Sequence, residues 1–146
     1  MIHSPSQVCL VKPTLDPESR TASGNGRGVD CRGFSRAMAI CHLGAHDRTT
    51  ADETINFTVE ESGDDGAGDA YVAVTGAATG VIGAVTPNAT SGDIWLIDID
   101  LTKRERWLRG VVTLAGTSPI DLCSMAFVLF NPHQGGPTQD KTVAEA

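Results

Sequence analysis

The sequence predicts an all-β fold, arranged as a two-sheet, jelly-roll-like sandwich. Sixteen of the 146 residues are glycine, well above the average share, and this composition suits short strands joined by many turns. Ile55, Phe57 and Val59 alternate with polar neighbours, as expected of a strand with one buried and one wet face. Eight or nine strand-like segments without an internal repeat fit two sheets that close over one core.

The amino-terminal third is rich in turns. Residues 8–11 are a short candidate strand that ends at Lys12-Pro13, and Asn25-Gly26 is a favoured hairpin turn before a returning strand at residues 29–32. We therefore expect residues 1–19 to form a loosely tethered, flexible arm, and the sandwich domain to begin at residue 20.

In the middle of the chain, residues 34–43 form a mixed apolar stretch that a strand or a short helix would explain. Gly33 and Gly44 bracket it at strand length, which favours the strand. After the alternating strand at residues 55–59, residues 62–69 predict an exposed turn and residues 70–74 resume extended structure. Val81-Ile82 is a candidate edge strand inside the glycine-rich stretch 76–92.

Three further strands are predicted in the last third, at residues 94–101, 107–114 and 120–130. A helix over residues 93–109 is the alternative, but Gly110, Gly116 and Pro119 occur at strand spacing. The sandwich then ends near residue 132, and residues 133–146 are expected to be a flexible tail. From alternation and apolar context we predict a buried core containing Ile55, Phe57, Val59, Trp107, Val112, Leu122 and Val128.

The charge of the chain argues against general nucleic-acid binding. Eleven Lys and Arg against eighteen Asp and Glu give a formal charge of -7, whereas phosphate neutralisation requires clustered cations. The start of the chain lacks the features of a signal peptide, and no apolar run is long enough for a membrane span, so we expect synthesis in a cytoplasm without membrane insertion. The cations are clustered once, in a basic group consisting of Lys103, Arg104, Arg106 and Arg109.

Candidate chemical sites are weak. Cys41, His42 and His46 are close in sequence, but neighbouring residues of a strand point to opposite faces, so no metal site is expected. The acidic turn, residues 62–69, is too short for a calcium loop and is better explained as a hairpin tip. Asp98 and Asp100 are better explained as a polar stripe than as paired catalytic carboxylates. We therefore predict a protein that is not an enzyme and has no cofactor, whose Cys9, Cys31, Cys41 and Cys123 are free thiols.

A series of short motifs runs along nearly the whole chain, namely Gln7-Val8 to Lys12-Pro13, Ala22-Ser23-Gly24-Asn25-Gly26, Gly28-Val29-Asp30 before Arg32-Gly33-Phe34, residues 55–59 with Glu60-Glu61-Ser62, Arg106-Trp107-Leu108-Arg109, Gly116-Thr117-Ser118-Pro119 and Asn131-Pro132. In these motifs the chain resembles small proteins encoded beside the major capsid protein in tailed phages and prophages of Gram-negative bacteria. It departs from them at Cys31, Cys41, His42 and His46 and in a lengthened stretch, residues 76–92.

The resemblance implies a virion structural protein, a cement or decoration protein on the capsid surface, made in the host bacterial cytoplasm. Its partners would be the major capsid protein and copies of itself, with a trimer as one expected state. We expect the amino-terminal arm to order against a capsid subunit, and the basic group to add a salt-sensitive contact. The predicted partner-binding residues are Ile2, Val8, Leu10, Val11, Lys103, Arg104, Arg106 and Arg109.

Two alternatives stay open. One is another phage β-structural part, from a tail tube, a head-closure ring or a baseplate. The other is a small β-sandwich module that binds carbohydrate, in which Trp95, Trp107 and Tyr71 would form a sugar-stacking platform.

Overall fold

The computed structural model describes residues 8–46, 53–83 and 92–132. These residues form nine strands and one short 3-10 helix, Leu101–Lys103. The strands are β1 (Cys9–Arg20), β2 (Gly24–Asn25), β3 (Val29–Asp30), β4 (Phe34–His46), β5 (Thr54–Ser62), β6 (Val72–Ala78), β7 (Asp93–Asp100), β8 (Trp107–Ala115) and β9 (Asp121–Pro132).

The strands form two antiparallel sheets that pack against each other. The four-stranded sheet has the order β1-β9-β4-β7, and the five-stranded sheet has the order β2-β8-β5-β6, with β3 also paired to β8. Gly24 of β2 pairs with Val112, and Val29 of β3 pairs with Leu108 further along β8, so β2 and β3 act as one interrupted strand. Each sheet then has four strands, as in a jelly roll, and the predicted two-sheet sandwich is confirmed.

The core lies between the inner faces of the two sheets. Ile55, Phe57 and Val59 of β5 are fully buried, as is Val112 of β8, which confirms these four predicted core positions. In β9 burial alternates along the strand, and the inward residues include Met125, Phe127 and Leu129. The sandwich is therefore held by one apolar layer contributed by both sheets.

Three predicted core residues are not fully buried. Leu122 is exposed, and Val128 and Trp107 are half-buried. Leu122 and Val128 are even-numbered residues of β9, whose odd-numbered residues face inward. Because side chains alternate between faces, a continuous apolar run does not reveal which half of its residues points to the core.

The prediction of a loose arm is wrong for residues 9–19, which belong to strand β1. This strand pairs with β9 from Cys9, opposite Phe130, to Arg20, opposite Asp121. Its proline-containing sequence is accommodated at the sheet edge, where the register shifts twice on either side of Leu15. Leu15 itself is buried. The remainder of the predicted arm, residues 1–7, and the predicted tail, residues 133–146, lie outside the described residues.

The two segments for which a helix was considered are strands in the structure. Residues 34–43 lie in β4, and the 93–109 segment contains β7, the 3-10 helix and the beginning of β8. Of the candidate edge strand at Val81-Ile82, only an isolated bridge between Ile82 and Ile55 is present. Within the described ranges, no helix has the length and apolar character needed to cross a bilayer.

Candidate functional site

The outer face of the five-stranded sheet is mainly polar. The outward residues of β5 lie opposite those of β8, and Glu60 accepts a hydrogen bond of 2.8 Å from Nε of Arg109. The neighbouring cross-strand pairs are Asn56 with Thr113 and Thr58 with Val111. This face is typical of a sheet that stays in contact with water.

The outer face of the four-stranded sheet is different, because hydrophobic side chains cover most of it. Register places residues from all four strands side by side: Pro13 lies opposite Ala126, Ala126 opposite Ile40, and Ile40 opposite Leu96. We call this surface the apolar face and define it by Val11, Pro13, Met38, Ile40, Ile94, Leu96, Leu122, Ala126 and Val128. The outward residues His42 and Ser124 are cross-strand partners and interrupt it between Ala126 and Leu122.

The apolar face is open to solvent. The exposed fraction is 48% for Val11, 59% for Ile94, 58% for Leu96 and 42% for Leu122. Strands about 4.8 Å apart, over about 20 Å of strand length, give a patch of roughly 400 Å². Single exposed hydrophobic residues are ordinary, and roughly 400 Å² is the size of the largest apolar patch on a typical monomer, a patch that often has a function.

Charged groups border the apolar face at one end. Arg36 of β4 and Asp100 of β7 are cross-strand partners, and their side chains form an exposed ion pair of 3.9 Å. Hydrogen bonds from the backbone N–H and the hydroxyl of Thr102 hold the pKa of Asp100 below its usual range, so this carboxylate is charged. Asp98 lies beside them on β7, an edge strand of the sheet. Asp98 and Asp100 are both exposed on one face of β7, as the polar-stripe interpretation predicted.

The predicted arm residues are dispersed. Ile2 lies outside the described residues, Val8 is half-buried, and Leu10 packs against the core. Val11 is the one that contributes to the apolar face, because it lies opposite Val128. The sequence held a signal for this face, since residues 94–97 of β7 are apolar at every position, as in strands that are covered on both sides.

The basic group is largely used within the chain. Arg106 donates hydrogen bonds of 2.6 and 3.1 Å to Asp30, whose pKa is lowered chiefly by this contact. Arg104 donates to Glu61 at 3.0 Å. These contacts attach the segment before β8 to β3 and β5.

Arg109, also in the basic group, is paired with Glu60 and stacks on the ring of Tyr71, with 4.1 Å between the guanidinium carbon and the ring centroid. Lys103 is exposed at the end of the 3-10 helix. The role of the basic group in partner binding stays a prediction, and Lys103 is the member best placed for it.

Cys41 and His42 point to opposite faces of β4, as expected from their spacing. Cys41 is in the core, and burial raises its pKa to about 12. His42 is exposed beside Ile94, and His46 ends the strand. Among the described residues there is no group of three or more His, Cys, Asp or Glu side chains that could hold a metal ion.

The other cysteines follow the same pattern as Cys41. Cys31 and Cys123 are free and buried, and burial raises their pKa values to about 12 and about 11. Cys9 is half-buried. The prediction of free thiols that act as small apolar residues is confirmed for the three buried ones.

The acidic turn uses its carboxylates to hold its own backbone. Asp64 accepts hydrogen bonds from the backbone N–H groups of Gly68 and Asp69 at 2.7 and 3.0 Å, which keeps its pKa low. Asp69 accepts from Gly63 at 2.7 Å, and the Ser62 hydroxyl donates to the Asp69 carbonyl at 2.7 Å. These contacts are those of the predicted hairpin tip.

The three aromatic residues considered for sugar stacking do not form one platform. Trp95 belongs to the four-stranded sheet and packs against the core. Trp107 lines a groove of about 500 Å³ near β1 and β3, and Arg106 lies 5.1 Å from its ring centroid. The ring of Tyr71 is stacked with Arg109, so guanidinium groups already lie over both of these rings.

Comparison with known proteins identifies no family. No protein-family model matches the chain, and no curated protein is significantly similar to it in sequence.

Proposed function

We propose that the protein is a structural subunit of a tailed-phage virion, a cement or decoration protein that binds and stabilises the capsid shell. The observation that carries the proposal is the apolar face, which contrasts with the polar outer face of the opposite sheet. Covering roughly 400 Å² of apolar surface gains about 10 kcal/mol before the costs of association are subtracted. A protein with such a face functions by assembling with other chains.

The protonation of the buried thiols and the pairing of the carboxylates support a structural role over an enzymatic one. Burial raises the pKa values of Cys31, Cys41 and Cys123, and a protonated thiol is a poor nucleophile. The carboxylates of the acidic turn bind its own backbone, and Glu60 and Glu61 pair with arginines. These groups serve local structure.

The virion setting comes from the resemblance described above, and the shape of the molecule is compatible with it. A rigid sandwich with one apolar face can cover a shell when an exposed cation such as Lys103 adds a second contact to an acidic neighbour. The major capsid protein and further copies of the chain are the proposed partners, and the capsid surface is the proposed location.

The test is cosedimentation of the purified full-length chain with undecorated shells of the phage or prophage that encodes it. We expect saturable occupancy and a higher temperature of shell disruption when the protein is bound. Leu96→Asp should lower occupancy at least tenfold, whereas Thr113→Asp on the polar outer face should not. Absence of wild-type binding at both low and high salt would overturn the proposal.

The other candidate roles predict different results in the same preparation. Closed rings of the purified protein in electron micrographs would favour a tail-tube or head-closure part. Retention on an immobilised glycan that is lost in Trp107→Ala would favour the carbohydrate-binding module.

A further inference from the structure

Asn25 and Gly26 form the only Asn-Gly dipeptide in the sequence. Asparagine is a chemically labile residue, and a following glycine adds to this because it leaves its own backbone nitrogen free to approach the asparagine side chain. We infer that Asn25 is a modification site, which the folded sandwich protects from deamidation and which reacts when strand β2 detaches from β8. The inference concerns the sheet opposite the apolar face and does not depend on the proposed function.

The reaction is a ring closure followed by hydrolysis. The Gly26 nitrogen loses its proton and forms a bond to Cγ of Asn25, and the side-chain amide nitrogen leaves as ammonia. Water then opens the cyclic imide at either of its carbonyl carbons, so the products are aspartate and isoaspartate. The net change consumes water and releases ammonia, and it needs neither an oxidant nor a reductant.

Packing explains why a glycine follows Asn25. A Cβ added at Gly26 would overlap the hydroxyl and the backbone carbonyl of Thr14 in strand β1. Neither Asn25 nor Gly26 has a positive φ angle, so the prediction of a hairpin turn at this dipeptide is wrong. Close approach to β1, rather than turn geometry, requires the glycine. The labile dipeptide is therefore a consequence of how the two sheets meet at this edge.

A hydrogen bond of Gly26 opposes the ring closure. The Gly26 N–H donates to the Gly110 carbonyl on β8 at 2.8 Å, and Asn25 lies in β2 opposite Val111. The same nitrogen must lose its proton and turn towards Cγ of Asn25 before the imide forms, so this hydrogen bond has to break first. Asn25 itself is exposed, and water is therefore available for the hydrolysis.

Further hydrogen bonds hold the chain on both sides of the dipeptide. The Ser23 hydroxyl accepts from the Leu114 N–H at 2.9 Å and donates to the Leu114 carbonyl at 3.3 Å. The Arg27 N–H donates to the Thr14 carbonyl at 2.8 Å, and the Thr14 hydroxyl donates to the Arg27 carbonyl at 2.8 Å. Because β2 detaches only when such bonds open together, the reactive state is rare in the folded protein.

The isoaspartate product does not fit the closed structure. It places an additional methylene group in the backbone between residues 25 and 26. Gly24 pairs with Val112 and the Gly26 N–H bonds to Gly110, so the longer backbone moves one of these contacts out of register. Isoaspartate at residue 25 would therefore keep the segment from closing again, and it would record that this edge of the sandwich had opened.

The experiment follows the full chain at neutral pH by peptide mapping. Trypsin cleaves after Arg20 and Arg27 and releases residues 21–27, in which Asn25 is the only asparagine. Mass spectrometry of this fragment measures the modified fraction over time, and the synthetic peptide of residues 21–27 gives the rate without protection. We expect the folded chain to react at least about tenfold more slowly than the peptide. Equal rates would overturn protection by the fold.

A substitution beside β2 tests whether detachment of this strand controls the reaction. Ser23→Ala removes both hydrogen bonds to Leu114 and should raise the rate at least about fivefold. The matched control is Ser35→Ala, since Ser35 makes two hydrogen bonds with Asn131, of 2.7 and 3.2 Å, in the other sheet. This control should react at the wild-type rate, and thermal unfolding establishes that both variants are folded.

Two results for these variants would overturn the role of β2. A wild-type rate in Ser23→Ala would show that the hydrogen bonds of Ser23 do not restrain the dipeptide. An equal increase in Ser23→Ala and Ser35→Ala would assign the reaction to unfolding of the whole sandwich instead of detachment of one strand.

Discussion

At the scale of single residues, Phe57 is the largest side chain that both the sequence pattern and the structure place in the core. It is fully buried on β5, opposite Val112. Phe57→Ala should lower the free energy of unfolding by about 3–5 kcal/mol, because it leaves a cavity between the sheets. Urea denaturation measures the change, with Val72→Ala at an exposed position as the control. A loss below about 1 kcal/mol would show that Phe57 is not a core residue.

The buried thiols predict how stability depends on pH. Burial raises the pKa of Cys41 from 9.0 to about 12, and that of Cys31 to the same value. The folded chain therefore holds these protons more tightly than the unfolded chain. Their stabilising contribution is complete below about pH 9 and is lost as the pH rises towards 12, by about 1.4 kcal/mol per pH unit for each thiol.

Urea denaturation at about pH 8.5 and about pH 10.5 tests this effect. The free energy of unfolding should be lower at the higher pH, and Cys41→Ala should show a smaller decrease than the wild-type protein. Equal decreases in both proteins would show that ionisation of Cys41 makes no contribution.

At the scale of the elements, Thr14 joins three parts of the sandwich. Its buried hydroxyl donates to the Arg27 carbonyl at 2.8 Å and accepts from the Gly110 N–H at 2.9 Å. Strand β1 is thereby tied to the segment between β2 and β3 and to β8 in the other sheet.

Thr14→Val should remove both hydrogen bonds with little change of shape. We expect a loss of about 1–3 kcal/mol, because the buried Gly110 N–H loses its acceptor and the part-buried Arg27 carbonyl loses its donor. Thr113→Val, on the exposed outer face of β8, is the matched control and should stay within about 0.5 kcal/mol of the wild-type protein. Similar thermal unfolding of the two variants would contradict this assignment.

At the scale of the whole molecule, Lys103 differs in its environment from the three arginines of the basic group. The net charge is -7, and Arg104, Arg106 and Arg109 pair with carboxylates of the same chain. Lys103→Glu should therefore weaken shell binding at low salt without lowering the melting temperature.

Arg104→Glu is the informative comparison, since it also faces Glu61. It should lower the melting temperature, because it replaces an attractive contact with a repulsive one. Cosedimentation and thermal unfolding of the two variants measure both effects. Unchanged shell binding by Lys103→Glu at low salt would remove the basic group from the proposed contact.

The sequence by itself was sufficient to predict the strands of this protein, because strands depend on local patterns. Alternation at Ile55, Phe57 and Val59 predicted both the strand and its buried face, and the spacing of glycine and proline predicted strands where a helix was also considered. A strong period and strong turn residues act within a few neighbours, so they can be recognised without the rest of the chain. The two-sheet sandwich follows from the number of such strands.

Only the tertiary structure decided which surfaces these strands form. Leu122 and Val128 lie in an apolar run without alternation, so the sequence does not show which of its residues face the core. The pairing of β9 with β1 and β4 turns these two side chains outward. The apolar face joins Val11, Ile40 and Leu96 because strands far apart in sequence are neighbours in one sheet. The internal partner of Arg106, Asp30, is likewise 76 residues away. Contacts at such distances depend on strand order and register, which local patterns do not encode.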